Sequence, residues 1–543
     1  MATVDLPTLQ FTPVEEIPAK VRKVRTTFFQ HKTRPIEFRI QQLRKLYWAL
    51  KDREHLVVEA LYRDLGKPKY EAYVSEINIV ENDIVFIQKN VAKWAKDEKA
   101  QNINMPFTLM KPRIRKDPLG CVLVIGAFNV PFSLNILPLI GAIAAGNTVV
   151  VKPSESSPNC AAVLQEIIEA AIDPDVVSVV QGGATETQAL LAERWDKICF
   201  TGNATVGRIV AQAAAPNLTP VLLELGGRNP AFITKKADVR LAARRLFWAK
   251  TFNAGQVCLS QNYILVDKEI VSQLVTEFGK VWKEFYPDGV KASPDFCRII
   301  NDAAFRRIKG MIDSTKGKIL LGGTMDEKER FIEPTLVQVD SADDPLVRRE
   351  TFGPVITILP VGDLDEAIRI SNDVDNTPLA AYAFGTKKEV EKVLSCVRSG
   401  GATINDTYMH GIIPNVPFGG VGESGSGAYH GRSSFDAFVH RRSIATTPGW
   451  VERMLSVRYP PYAGKLWSTL RSGTVAPNFD RSGRTTTGFW GWIIWFITFG
   501  GGANKSGASR AAVAVVVLLF LKQVYPASKK NLRIQTPSSD IQM

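Results

Sequence analysis

The chain predicts an α/β fold in which a parallel sheet is covered by helices on both faces. Three observations carry that prediction. Short apolar runs of strand length recur at Gly120-Cys121-Val122-Leu123-Val124-Ile125, Thr148-Val149-Val150-Val151, Val176–Val180, Ile198–Phe200 and Val221–Leu223. Stretches of helix length separate them, as crossovers between parallel strands require. At 543 residues the chain is long enough for two or more cores.

The elements follow in order. Residues 17–65 place apolar side chains at helical spacing, as in Phe38-Arg39-Ile40-Gln41-Gln42-Leu43-Arg44-Lys45-Leu46-Tyr47, and predict amphipathic helix. Residues 70–100 read as helix again. The first buried strand is expected at 120–125, then an apolar helix near 134–145 closed by Gly146-Asn147. The alternation runs on to residue 223, and a second α/β stretch covers about 230–415. No internal repeat stands out.

Composition excludes several classes. Apolar residues make up 45% and charged residues 22%, a globular balance. Six scattered cysteines form no CxxC pair, and five histidines show no HxxxH spacing. Neither a disulfide framework nor a metal site is expected, and a reducing compartment fits. The net charge is +13. Fourteen Lys or Arg and only three acids lie after His440, so the basic character belongs to the tail. That distribution argues against nucleic acid as the partner and suits an anionic membrane surface. Met1-Ala2-Thr3-Val4-Asp5 opens no secretory signal.

Residues 473–487 read as a Ser, Thr, Gly and Arg-rich linker. Beyond it lies Phe489-Trp490-Gly491-Trp492-Ile493-Ile494-Trp495-Phe496, then the apolar run 511–521 with Lys522, Lys529, Lys530 and Arg533 after it. The expectation is a C-terminal membrane anchor: an interfacial aromatic helix and a short spanning or hairpin helix.

Chemistry concentrates in two blocks. Cys258 ends Asn253-Ala254-Gly255-Gln256-Val257-Cys258, and Glu224-Leu225-Gly226-Gly227 ends an apolar strand upstream. A thiol that forms a covalent intermediate needs a base to release it with water, and these blocks supply both groups. Further blocks follow: Phe128-Asn129-Val130-Pro131-Phe132, Val151-Lys152-Pro153-Ser154-Glu155, Phe200-Thr201-Gly202-Asn203, Glu350-Thr351-Phe352-Gly353-Pro354 and Pro417-Phe418-Gly419-Gly420-Val421-Gly422.

In that order, over roughly residues 15–465, the set resembles the aldehyde dehydrogenase superfamily. The ending, with Gly427-Ala428-Tyr429-His430-Gly431 and Arg458-Tyr459-Pro460-Pro461, is similar to its class 3 branch, which holds the membrane-bound fatty aldehyde dehydrogenases. The resemblance implies a Rossmann-like NAD(P)-binding domain over 1–226, interrupted by an arm at about 98–118. A catalytic domain over 227–415, an oligomerisation strand region over 416–445, an extension and linker over 446–484 and a membrane-associated tail over 485–543 complete it. Met110-Lys111-Pro112-Arg113-Ile114-Arg115 looks like an edge strand of the arm. A homodimer is implied by the branch.

The resemblance also implies roles. Cys258 is the nucleophile, Asn129 the oxyanion donor with the Cys258 N–H, and Glu224 the general base that hydrolyses the thioester. Lys152 and Glu155 match the positions that hold the adenosine ribose. Thr201, Gly202, Val206 and Gly207 stand where a backbone turn and a helix N-terminus approach the pyrophosphate. Glu350 matches the nicotinamide-ribose ligand and Phe352 the ring packed beside it. A carboxylate at Glu155 favours NAD, with NADP left open. The other five cysteines read as inert, and no acid–base role is assigned to His410, His430 or His440.

The implied reaction is NAD(P)-dependent oxidation of a long-chain apolar aldehyde, a fatty aldehyde or an apocarotenal, to its carboxylic acid. The membrane-tailed fungal enzymes that oxidise apocarotenals look similar, and aromatic aldehydes stay open. Two other readings stand beside it: a silent membrane-attached scaffold, and a CoA-dependent semialdehyde dehydrogenase, which Glu224 disfavours. The expected location is a cytosol-facing membrane of the endoplasmic reticulum, lipid droplet or outer mitochondrion.

Overall fold

Strand order explains where the site lies. The computed structural model describes residues 4–103, 105–462, 477–485 and 488–497. In the unit that ends at Thr446, a six-stranded sheet runs Gly425–Ser426, Val221–Glu224, Lys197–Thr201, Cys121–Ile125, Thr148–Lys152, Val177–Val179. All pairs are parallel except the first. Side chains alternate across the sheet as the two-residue strand period demands. Cys121, Leu123 and Ile125 pack with helix Ile17–Phe29, while Val122 and Val124 face the wholly buried helix Ser133–Ala145.

A seven-stranded sheet runs Lys318–Leu321, Thr335–Gln338, Val355–Val361, Tyr263–Asp267, Pro230–Ile233, Ala380–Phe384, Gly401–Ile404. It is parallel apart from Lys318–Leu321. A third, antiparallel sheet joins Glu98–Lys99, Arg113–Pro118 and Val439–Ile444. Glu98 clamps it: Lys116, Arg432 and Arg441 stand 2.7, 2.9 and 2.6 Å from its carboxylate. Lys116 and then Arg441 hold that carboxyl down to about 2.

The α/β class is the observed one. The helix expected near 134–145 is Ser133–Ala145, ended by Gly146 in the left-handed region (φ 95°). The amphipathic stretch 17–65 is three helices, Ile17–Phe29, Ile36–Asp52 and Glu54–Leu65. Pro35 starts the second, because proline lacks the N–H an interior turn needs. Residues 70–100 are helical only to Trp94, and Glu98–Lys99 is strand.

Residues 447–543 form a separate unit. Its described part holds short helices over Gly449–Val451, Glu452–Leu455 and Ser456–Arg458, and the aromatic helix Phe489–Ile497. Among the described residues no helix is long and apolar enough to cross a membrane. The expected second tail helix at 511–521 lies outside the described residues.

Candidate active site

Cys258 sits between helix Val239–Thr251 and strand Tyr263–Asp267. The turn that delivers it has three consecutive residues in the left-handed region: Asn253 (φ 52°), Ala254 (φ 50°) and Gly255 (φ 71°). Two of these are not glycine, a conformation that costs about 1–2 kcal/mol each and persists only where the surroundings impose it. Gly255 is required twice over, since a Cβ there would stand 2.3 Å from the Gly353 carbonyl oxygen. Asn229 fixes the far side: its Nδ2 donates to the carbonyls of Cys258 at 2.7 Å and Ser260 at 2.9 Å.

The residue keeps partial exposure, but its sulfur is enclosed. Burial pushes the thiol up to about 12, and the Glu224 and Glu350 carboxylates add to the rise. The backbone N–H groups of Leu259 and Cys258 pull the other way. A thiol so placed needs a nearby cation or a base to become a nucleophile.

Asn129 lies between strand Cys121–Ile125 and helix Ser133–Ala145 and is buried. Its Nδ2 donates to the Gln256 carbonyl at 3.0 Å. Asn253 Nδ2 donates to the carbonyls of both Asn129 and Gln256, each at 3.0 Å. The loop carrying the amide and the turn carrying the thiol are therefore one hydrogen-bonded unit.

Glu224 closes strand Val221–Glu224, with Thr201 beside it in register. Neither carboxylate oxygen has a hydrogen-bond partner among the described residues, and burial holds the acid well above the usual carboxylate range. An unpartnered buried carboxylate is costly, which marks it as a proton-handling group.

The residues expected to hold a dinucleotide come together around the C-terminal strand ends, where doubly wound sheets bind ligands. Lys152 ends strand Thr148–Lys152, and its ammonium is 2.9 Å from Glu155. Asn203 caps helix Ala204–Ala214 by accepting the Val206 N–H at 3.0 Å. Thr201 and Gly202 lead into that cap, with the Gly202 N–H donating to the Glu224 carbonyl at 3.0 Å. A Cβ at Gly207 would stand 2.7 Å from Leu225, so the glycine lets the helix close on the Glu224 loop.

Glu350 reaches across to the same loop. The Gly227 N–H points at its Oε1 over 3.4 Å, and a Cβ on Gly226 would stand 2.4 Å from its Oε2. Burial raises Glu350 to about 7 against the pull of Gly227, Arg307, Lys250 and Arg228. Phe352 (φ 45°) meets Phe128 edge to face at 6.0 Å. Ribose hydroxyls suit Glu155 and Glu350, and the glycines leave room for backbone approach, so this set fits NAD(P).

Several contributors carried no sequence signal. Arg307 donates to the Glu350 carbonyl at 3.1 Å and to the Thr351 carbonyl at 2.8 Å. Trp248, Phe252 and Tyr408 pack as an aromatic group with centroids 5.5 to 6.2 Å apart. Gly425–Ser426 pairs antiparallel with Glu224 and Leu223, a strand hidden in a glycine-rich stretch. His410 and His430 are held down to about 4 by burial, and His430 stacks on Phe418 at 5.1 Å.

A thiol on a turn tied to an amide-bearing loop, within electrostatic reach of a buried carboxylate and beside residues that fit a dinucleotide, defines a thiol-dependent oxidoreductase site. The Aldehyde dehydrogenase family model matches residues 6–444, and the chain belongs to that family. It is 49% identical to the Beta-apo-4'-carotenal oxygenase of Neurospora crassa over 97% of this chain and 99% of that one. It is 42% identical to the Aldehyde dehydrogenase, dimeric NADP-preferring, of Canis lupus familiaris over 83% of this chain and 99% of the relative. The substrate-bound structure of Staphylococcus aureus AldH superposes with a TM-score of 0.81 at 40% identity, covering 84% of this chain and 98% of that one.

Proposed function

We propose that this protein oxidises a long-chain apolar aldehyde to its carboxylic acid through a covalent adduct on Cys258. The observation that carries the reading is the hydrogen-bonded unit of Asn129, Asn253 and Gln256 beside the thiol, with the unpartnered Glu224 nearby. Once the thiol proton has passed to water, the Cys258 sulfur adds to the aldehyde carbon, the carbonyl π bond breaks and the oxygen takes the negative charge. The Asn129 amide keeps one N–H for that oxygen beyond the one on Gln256, and the Cys258 N–H is the second donor. When bound, NAD(P) would supply the acceptor for the hydride of the adduct carbon, and loss of that hydride leaves a thioester on Cys258. Glu224 takes a proton from the water that opens the thioester. Lys152 and Glu155 would hold the adenosine ribose and Glu350 the nicotinamide ribose.

An apolar substrate is supported by the residues beside the thiol. Gly411 packs on Leu259, next to Cys258, and Ile412, Ile413 and Val416 beyond it are exposed. Each buried CH₂ of a substrate contributes about 0.8 kcal/mol. The similarity to the Neurospora crassa protein along almost the whole chain favours an apocarotenal over a fatty aldehyde. NAD is the preferred nucleotide in this reading because Glu155 repels a 2′-phosphate, with NADP used as well. A homodimer and a tail that attaches the enzyme to a cytosol-facing membrane complete the proposal.

Absorbance of the reduced cofactor during turnover tests it, with an apo-4'-carotenal and a saturated fatty aldehyde at matched free concentration. Turnover of the apocarotenal with the higher kcat/KM is expected. Failure of both to turn over would sink the reading.

A further inference from the structure

Behind the loop that presents Asn129 lies a group of buried charges that the chemistry above does not use. Lys67 and Glu76 are both fully buried and stand 3.1 Å apart. The Lys67 ammonium also donates to the backbone carbonyl of Asn129 at 3.1 Å. The second oxygen of Glu76 accepts the N–H of Ser133 at 2.9 Å, at the start of the helix that follows Asn129. Glu76 lies in a π-helical turn, Tyr73–Ile77, a widened geometry frequent at functional sites. Close by, Glu71 accepts the N–H of Asn253 at 2.8 Å and the thiol of Cys297 at 3.4 Å.

Stability does not account for this pair. Enclosing two ions costs several kcal/mol each before their attraction is counted, and two apolar side chains of similar volume serve a core equally well. The pair adds direction instead. Lys67 puts a fixed donor on one carbonyl, Glu76 ties that donor to the next helix, and Glu71 holds the partner turn. The Asn129 carbonyl is thereby held by two donors at once, the Lys67 ammonium and the Asn253 amide.

We propose that Lys67, paired with Glu76, is a positioning residue for the oxyanion donor: it fixes the Asn129 backbone so that the side-chain amide meets the oxygen of the aldehyde under attack by Cys258. The proposal rests on the roles given above to Asn129 and Cys258.

The test uses the full-length protein. Lys67→Met combined with Glu76→Gln removes both charges at similar volume. Saturated oxidation of decanal with NAD is measured beside alkylation of Cys258 by iodoacetamide, which needs the sulfur but no oxyanion donor. Asn129→Ala is made alone and on the paired background. The paired variant should lose about ten- to hundredfold in kcat. Its KM should stay within about threefold and its alkylation rate within about twofold. Asn129→Ala should cost at least about tenfold less there than in the wild type, as coupled residues are not additive. Full kcat in the paired variant, or an equal Asn129→Ala effect in both backgrounds, overturns the proposal. So does an alkylation rate that falls with kcat, which marks general distortion. If Asn129→Ala has no effect in the wild type, the role of Asn129 itself fails and the positioning role falls with it. If the paired variant does not fold, Lys67→Gln, whose shorter side chain withdraws the donor from Asn129, goes through the same cycle with the same criteria.

Discussion

The side-chain nitrogen of Asn129 stands 3.0 Å from the carbonyl oxygen of Gln256, two residues ahead of Cys258. Two segments more than a hundred residues apart in the chain thus share one geometry. Changes on either side should be felt as chemistry before they are felt as stability.

Cys258→Ala removes the nucleophile and leaves every backbone bond of its loop in place. Turnover should fall at least about a thousandfold, with the melting temperature within a few degrees of the wild type. Retained turnover in that variant excludes the sulfur as nucleophile.

Glu224→Gln should let the thioester form and stall its hydrolysis. Intact-protein mass spectrometry after mixing with aldehyde and NAD should show the acyl adduct on Cys258. In the wild type, burial raises the Glu224 carboxyl, so the base is protonated at low pH and competent only above its raised value. A deacylation-limited kcat should therefore rise with pH across a window above the ordinary carboxylate range. A flat profile with no adduct would remove Glu224 from the hydrolytic step.

Gly226→Ala places a Cβ 2.4 Å from the Glu350 carboxylate and must displace it. The expected effect is a rise of about tenfold or more in KM for the nucleotide, with a smaller change in KM for the aldehyde, from a clash of about 1–3 kcal/mol. Unchanged nucleotide kinetics would detach Glu350 from the cofactor.

Glu350 also gives a stability prediction. Its folded value of about 7 lies above that of an unfolded glutamate, so it favours the fold fully at low pH. That contribution is lost as pH rises from about 4.5 through about 7. Glu350→Gln should flatten the fall in melting temperature between pH 5 and pH 8. A parallel profile in the two proteins contradicts the raised value.

Cutting the chain after residue 484 should release it from membranes, since Phe489, Trp490, Trp492 and Phe496 are exposed aromatic surface suited to an interface. Activity on short soluble aldehydes should stay within about twofold. Flotation with liposomes before and after truncation decides it.

How much of this was legible in the chain depended on the length scale of each interaction. Strands such as Cys121–Ile125 and Thr148–Lys152 announce themselves because both faces are buried and their central residues form an unbroken apolar run. The thiol block and the Glu224 block are contiguous, so their motif survives in one dimension. Lys67, Glu71 and Glu76 carried no signal, because nothing local distinguishes a charge that faces solvent from one that meets a backbone group in a distant loop. The same holds for Arg307, whose partners are the carbonyls of Glu350 and Thr351. Gly425–Ser426 was invisible for another reason: two residues are too short to show a strand period.

That two-residue strand sets an order of events during synthesis. It covers the open edge of Val221–Glu224 through the pairs Gly425 with Glu224 and Ser426 with Leu223. Until the ribosome has made it, the strand that ends in Glu224 has nothing on that side and offers its N–H and C=O groups to any neighbouring chain. Roughly two hundred residues of later chain must emerge before the edge is sealed, a long loop closure that slows folding. A nascent chain stalled between the two is the species most exposed to aggregation, and the one a chaperone would be needed to shield.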